Sequence, residues 1–250
     1  MYNYKLKIEY NGEKFFGSQK QNLEPEPRTV QSELEKVLEG YFKEEIDTVF
    51  SGRTDRGVHA IGQVVNFKTT KAIEDDFSRL LLRFNAQLPD DMVMIKIEEV
   101  DENFNARFDA KSREYLYKLF IRKHKPVLRT DSLGWFKENL DFELMQEHCK
   151  SFIGKKDFAA YAKEEKFDFD PDSDKFQVEK TTICEVYEAE LVKESKICYK
   201  FRIKANRFLR NMVRRMVGEL VYIGKGNKAD EKSKKLTAPA AGLTLMKVEY

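Results

Sequence analysis

This chain has few cysteines, no long apolar run and almost no net charge, and each of these lacks closes off a class of protein. The three cysteines, Cys149, Cys184 and Cys198, are odd in number, widely spaced and without a CxxC pair. That pattern suits buried free thiols in a reducing cytosol, not a disulfide framework or a metal site. No stretch approaches the roughly 18 apolar residues of a membrane span. The opening MYNYKLKIEY alternates like a strand and lacks the apolar core of a signal peptide. GxSxG, HExxH and phosphate-loop patterns are missing. Forty-five Lys and Arg against 43 Asp and Glu leave a net charge of +2 over 250 residues. A nucleic-acid signal must therefore come from local clustering.

The patterning that is present falls into two similar halves. In the first, YKLKIEY (4–10) alternates as a strand, and Thr29 is placed to cap a helix with Val30, Leu34, Val37, Leu38 and Tyr41 on one face. Strand-like runs follow near 47–51 and 61–68. DDFSRLLLRFNAQL then predicts a helix ended by Pro89, and MVMIKIEEV (92–100) a strand. In the second half, strands are predicted over 113–123, 184–192, 196–205 and 243–250, with helices over 141–153 and 207–223. Each half reads βαββαβ. The expected class is α+β: two ferredoxin-like (RRM-like) halves, 1–108 and 109–250, whose antiparallel sheets form a central cleft. No repeat is visible at the level of residues. EEKFDFDPDSDKF (164–176) reads as an exposed acidic loop. Its carboxylates follow a calcium-loop spacing, but Ser173 stands where that loop needs glycine and Pro171 interrupts it.

Two features carry chemistry. SGRTDRGVHA (51–60) places one carboxylate, Asp55, between Arg53 and Arg56 in a glycine-bounded turn between two strands. A surface turn with a local ion pair would look the same. With no second acid beside Asp55, a two-metal nuclease is disfavoured, and His59, opening a strand, reads as structural. The second feature is basic. Lys200 to Lys228 holds nine Lys or Arg and one acid, Glu219. On a helix, Arg207, Arg210 and Arg214 form one stripe, opposite Phe208, Leu209, Met212, Val213, Met216, Val217 and Leu220. Four arginines and no lysine fall between 207 and 215. A solvated face normally mixes lysine with glutamate, whereas the planar guanidinium fork suits phosphate.

SGRTDRGVHA followed by VVNF resembles the GRTDxGVHA signature of the tRNA pseudouridine synthase A family. FFGSQKQ, TVQSELEKVL, FNAQLPDDM, FNARFDAKSREYLYKLF, NRFLRNMVRRMVG and APAAGLTLMKVEY resemble further family segments, in family order, over nearly the whole chain. The resemblance implies the pseudouridine synthase fold and an isomerase that converts uridine to pseudouridine in the anticodon stem-loop of tRNA, at positions 38, 39 and/or 40, without a cofactor or a metal. It implies Asp55 as the catalytic carboxylate. Tyr115 would stack on the uracil and handle a proton, although alone it reads as a core aromatic. Arg53 would displace the base from its stem, Arg214 would pair with the acid, and Leu243 would pack on the target base. Arg207 and Arg210 are candidate phosphate contacts. A cytoplasmic homodimer acting on the anticodon arm, with no membrane attachment, is implied too.

Three departures stand out. Ser18 replaces a common tryptophan, which leaves local packing open. Arg210 and Asn211 stand where histidines are frequent, and the acidic loop is longer than usual. The alternative is a non-catalytic RNA-binding module of the same fold; the intact set Asp55, Tyr115, Arg214 and Leu243 favours the enzyme.

Overall fold

The structure is a computed structural model that describes residues 1–21, 23–128, 130–137, 139–163 and 181–250. The acidic 164–176 stretch, with its calcium-loop spacing, lies outside the described residues. The first half comprises β1 (Tyr2–Tyr10), α1 (Val30–Phe42), β2 (Thr48–Phe50), β3 (His59–Thr69), α2 (Phe77–Asn85) and β4 (Met92–Val100). The second comprises β5 (Ser112–Ile121), β6 (Gly134–Phe136), α3 (Phe142–Cys149), β7 (Gly154–Asp157), β8 (Ile183–Ser195), β9 (Cys198–Ala205), α4 (Met212–Gly224) and β10 (Leu243–Glu249).

Local chemistry accounts for most of these elements. Thr29 caps α1: its Oγ1 accepts from Ser32 N at 3.1 Å, and its own N–H donates to Ser32 Oγ at 3.0 Å. Val30, Leu34, Val37, Leu38 and Phe42 form its buried face, with Tyr41 at the margin. Asp76 caps α2 by accepting from Ser78 N and Arg79 N, both at 3.1 Å. The alternation of β1 sends Tyr4, Leu6, Ile8 and Tyr10 into the core. There the Tyr4 ring lies 5.7 Å from Phe67, and Phe67 lies 5.6 Å from Phe42. Cys149 and Cys184 are buried free thiols, as expected, but Cys198 is only half-buried.

One ten-stranded sheet runs through both halves in the order β4-β1-β3-β10-β5-β9-β8-β7, with β2 on β3 and β6 on β5. Numbering β1 to β4 in the first half and β5, β8, β9 and β10 in the second, both follow the order fourth, first, third, second. The duplication inferred from element order is therefore present in the sheet as well. The halves join where β10 runs parallel to β3, pairing Thr244 with His59 and Leu245 with Ala60. Gly62 makes this junction possible, since a Cβ there would lie 2.2 Å from Met246 O. The same edge of β3 pairs with β2 further along, from Phe50↔Val65 to Thr48↔Phe67. So β2 and β10 share one edge of β3 at opposite ends. The 51–58 loop leaves β2 and enters β3 in the fork between them.

One helix begins later than its sequence suggests. α4 starts at Met212, not near residue 207, because Asn211 takes a left-handed backbone with φ 62°. Apolar periodicity continues through Phe208 and Leu209, which still pack on the core, so the pattern hides the break. Arg207 and Arg210 therefore sit in the irregular segment before the helix, and only Arg214 of the expected stripe is on it. β6 and β7, three and four residues long, are too short to show periodicity. α4 is steadied by Glu219, which is fully buried. Its carboxylate accepts from Tyr161 OH, accepts from Ser233 Oγ at 3.1 Å, and lies 3.4 Å from His148 Nε2. Burial favours its neutral form, yet the partners together hold the carboxyl below its ordinary range. No described helix is long and apolar enough to cross a membrane.

Candidate active site

The 51–58 loop is pinned along its main chain, which leaves its carboxylate partly open to solvent. Ser51 N donates to Val64 O at 2.8 Å, and Ser51 Oγ donates to Gln63 Oε1 at 2.7 Å. The Gln63 amide donates onward to Gly52 O at 2.9 Å. Thr54 is clasped by Ser18: Thr54 N donates to Ser18 Oγ at 2.9 Å, and Ser18 N donates to Thr54 O at 3.1 Å. The Thr54 hydroxyl also bonds the Tyr10 hydroxyl at 2.8 Å. After Asp55, Val58 N closes back to Asp55 O at 3.1 Å, with Gly57 at φ +79° between them. A Cβ on Gly57 would come 3.2 Å from Ala240 Cβ, so the loop lies against the 3-10 turn Ala240–Gly242 that leads into Leu243. Ser18 is thus an integrated loop partner rather than a packing defect. Ser18→Ala leaves the Thr54 N–H buried without an acceptor. It is expected to destabilise the protein by about 1–2 kcal/mol and to lower turnover several-fold. Urea unfolding checks this, and an unchanged midpoint would show that the clasp contributes nothing.

The Asp55 side chain is 27% exposed, and its Oδ2 lies 3.5 Å from Arg214 Nη1. That is long for a charge-assisted hydrogen bond, and the exposed part of the carboxylate is open to a reacting group. Arg214, in the first turn of α4, is fixed from behind: its Nε donates to Ala238 O at 2.9 Å, and Ala238 N donates to Arg214 O at 3.0 Å. Tyr115, in the middle of β5, pairs in register with Leu245 and Ile203. It is 7% exposed, and the Phe208 ring meets it edge-on at 5.2 Å. Burial pushes its phenol well above the ordinary range, with the neighbouring Tyr10 phenol and the Asp55 carboxylate acting in the same direction and Arg113 in the other. Tyr115 is therefore a neutral phenol at physiological pH and not a phenolate base. Leu243 is buried at the start of β10, opposite Tyr117.

Other expected residues fall around this group. Arg53 is exposed on the same loop. Arg210 is exposed and Arg207 half-exposed on the segment that carries Phe208, and neither pairs with an acid among the described residues. His59 is structural: its Nδ1 accepts from Gly12 N at 3.0 Å. Burial lowers its pKa, with the Asp131 and Ala241 carbonyls opposing, so the ring stays neutral. Among the described residues, no group of three or more His, Cys, Asp and Glu could hold a metal ion.

Three contributors escaped the sequence reading. Gln63, fully buried in β3, braces the loop, and Phe208 supplies the wall beside Tyr115. Arg113, also buried, donates to the Ser51 and Arg107 carbonyls, each at 2.7 Å, to Asn206 O at 2.8 Å and to Ala110 O at 2.9 Å. Desolvation lowers its pKa, and its four carbonyl partners stand in for the carboxylate a buried arginine ordinarily has. In sequence it is one cation in an alternating strand, with no signal that it joins the Asp55 loop to the approach to α4.

A carboxylate presented from a pinned loop, a half-buried arginine at its shoulder and a neutral phenol nearby, on a duplicated ferredoxin-like sheet, make up the arrangement that the resemblance to the pseudouridine synthase class implies. The family model described as tRNA pseudouridine synthase matches residues 7–109 and 148–250. Similar full-length proteins include the tRNA pseudouridine synthase A of Dictyoglomus thermophilum, 38% identical over 262 residues and 100% of both chains. That of Acetivibrio thermocellus is 37% identical over 261 residues, and tRNA pseudouridine synthase A 2 of Clostridium perfringens 36% over 262, each again covering 100% of both chains. The chain belongs to the tRNA pseudouridine synthase family.

Proposed function

We propose that this protein isomerises uridine to pseudouridine in the anticodon stem-loop of tRNA, at positions 38, 39 and/or 40, with Asp55 as the reacting carboxylate. The N1–C1′ bond breaks, the uracil turns within the site, and a C5–C1′ bond forms; C5 loses its proton and N1 gains one, so the product is an isomer. Departure of uracil leaves positive character at C1′, which a carboxylate stabilises or captures. Arg214 orients that carboxylate. Tyr115, held neutral, offers a face for stacking and a proton to hand over. Leu243 packs on the base, and Arg53 displaces it from its stem, since a paired base must leave its stack to be reached. The observation that carries this reading is the Asp55 carboxylate, partly open and 3.5 Å from Arg214, on a loop whose flanking main chain is bonded on both sides.

Release of tritium from tRNA labelled at uridine C5, with the product mapped along the anticodon arm, tests the assignment. Binding without release would favour the non-catalytic RNA-binding alternative. Arg207 and Arg210 contact phosphate in this scheme. Replacing either with Ala should weaken tRNA binding and flatten its salt dependence by about 0.7–0.9 in logarithmic slope. A titration across salt concentrations checks this, and unchanged slopes would remove both from the RNA path. The working form is proposed to be a cytoplasmic homodimer, which sedimentation at micromolar concentration examines.

A further inference from the structure

Phe15 and Phe16 each carry an arginine over the ring, and the two stacks differ in one respect. Arg28 lies 4.2 Å from the centroid of Phe15, which is 1% exposed. Its fork is fully engaged: Nη1 and Nη2 donate to the two oxygens of Asp91 at 2.8 and 2.6 Å, and Nε donates to Glu33 at 2.8 Å. That stack is structural. Arg56 lies 4.0 Å from the centroid of Phe16, which is 39% exposed. Arg56 is exposed too, and among the described residues no carboxylate pairs with it. Its sequence neighbour Asp55 pairs with Arg214 instead. The second stack therefore presents an oriented guanidinium whose donors are unspent among the described residues.

We propose that Arg56, held over Phe16, binds a phosphate of the RNA strand beside the target nucleotide. The proposal rests on Asp55 being the reacting carboxylate, and it deepens that reading by naming the backbone contact next to it. Phosphates flank the sugar of every nucleotide within a strand. With C1′ at the Asp55 carboxylate, a cation one residue along the loop lies within a nucleotide's reach of them. A guanidinium fork matches two phosphate oxygens. Stacking on an aromatic face removes much of the rotamer freedom that a free surface arginine would lose on binding. The platform is rigid as well. Phe16 N donates to Arg28 O at 2.9 Å, the Gln21 amide donates to Phe16 O at 2.6 Å, and the Ser18–Thr54 clasp laces this segment to the loop that bears Arg56. The family signature does not specify position 56, so the resemblance assigns Arg56 no role.

The experiment compares Arg56→Gln, Arg56→Lys and Phe16→Leu with the unaltered protein. It measures tRNA binding across salt concentrations, kcat, KM and the thermal unfolding midpoint, with Asp55→Asn as a parallel control. Arg56→Gln is expected to weaken binding about tenfold, to lower the salt slope by about 0.7–0.9 and to act on KM more than on kcat. Arg56→Lys should recover the slope but not the full affinity, because an ammonium neither stacks nor forks. Phe16→Leu should weaken binding at unchanged slope, the charge being present but no longer held. Both side chains are at the surface, so midpoints should stay within a few degrees. Wild-type affinity and slope in Arg56→Gln, alongside an inactive Asp55→Asn, would overturn this proposal alone. Continued turnover by Asp55→Asn would overturn the reading of Asp55 and this placement with it.

Discussion

Asp55→Asn should abolish pseudouridine formation, by about ten-thousand-fold or more in single turnover, while tRNA affinity stays within several-fold. Asparagine keeps the size and shape of the side chain, so the bonds around Ser51, Thr54 and Val58, which use main chain and other side chains, are left intact. What disappears is the negative charge that faces C1′. The pair with Arg214 is long and its acid is 27% exposed, so solvent screens it and its loss should move the unfolding midpoint little. The readouts are tritium release at saturating tRNA and equilibrium binding. Substantial release by this variant would refute the role given to Asp55. A collapse of binding together with activity would point to a structural loop instead.

Arg214→Ala is expected to lower the single-turnover rate at saturating tRNA by about 100- to 1000-fold, the range for removing one preorganised polar group aimed at a reacting centre. Its effect on binding should be smaller, and the salt slope should change little. This is the reverse of the pattern expected for Arg207 and Arg210. The structural basis is that Arg214 is fixed by Ala238 on one side and faces Asp55 on the other. Without it the carboxylate loses its orienting charge, and Ala238 O loses the Nε–H it accepts. Some loss of stability should follow, of about 1–3 kcal/mol. Arg214→Lys keeps the charge and should recover part of the rate. A variant in which only affinity falls would move Arg214 from the chemistry to the RNA path.

Much of this architecture was legible in local sequence. Strand alternation located β1 and β4 to within two residues, and the capping threonine located α1. The order of elements exposed the duplication that the sheet then repeats, strand for strand. The α4 boundary was not legible, because Phe208 and Leu209 continue the apolar rhythm into a segment that is not helical, and one left-handed asparagine leaves no periodic trace. Ser18 looked like a departure in a packing position, whereas its hydroxyl is the acceptor for Thr54 N.

By itself, then, the sequence determined the strand and helix periods and the caps, while its resemblance to the family implied the grouping of Asp55, Tyr115, Arg214 and Leu243. Periodicity and capping depend on residues within a few positions of one another, so they are written in short stretches of chain. Only the tertiary structure decided that β10 joins β3 end to end with β2. Only there do Arg214 and Asp55 meet across 159 residues of chain, and only there does Arg56 turn onto Phe16 instead of pairing with its neighbouring acid. Such contacts follow from strand register and loop closure over long separations, and one acid and several arginines in a sequence admit many pairings. Buried beneath the loop, Arg113 and Gln63 hold its Ser51 and Gly52 carbonyls, and the Asp55 carboxylate is left partly open.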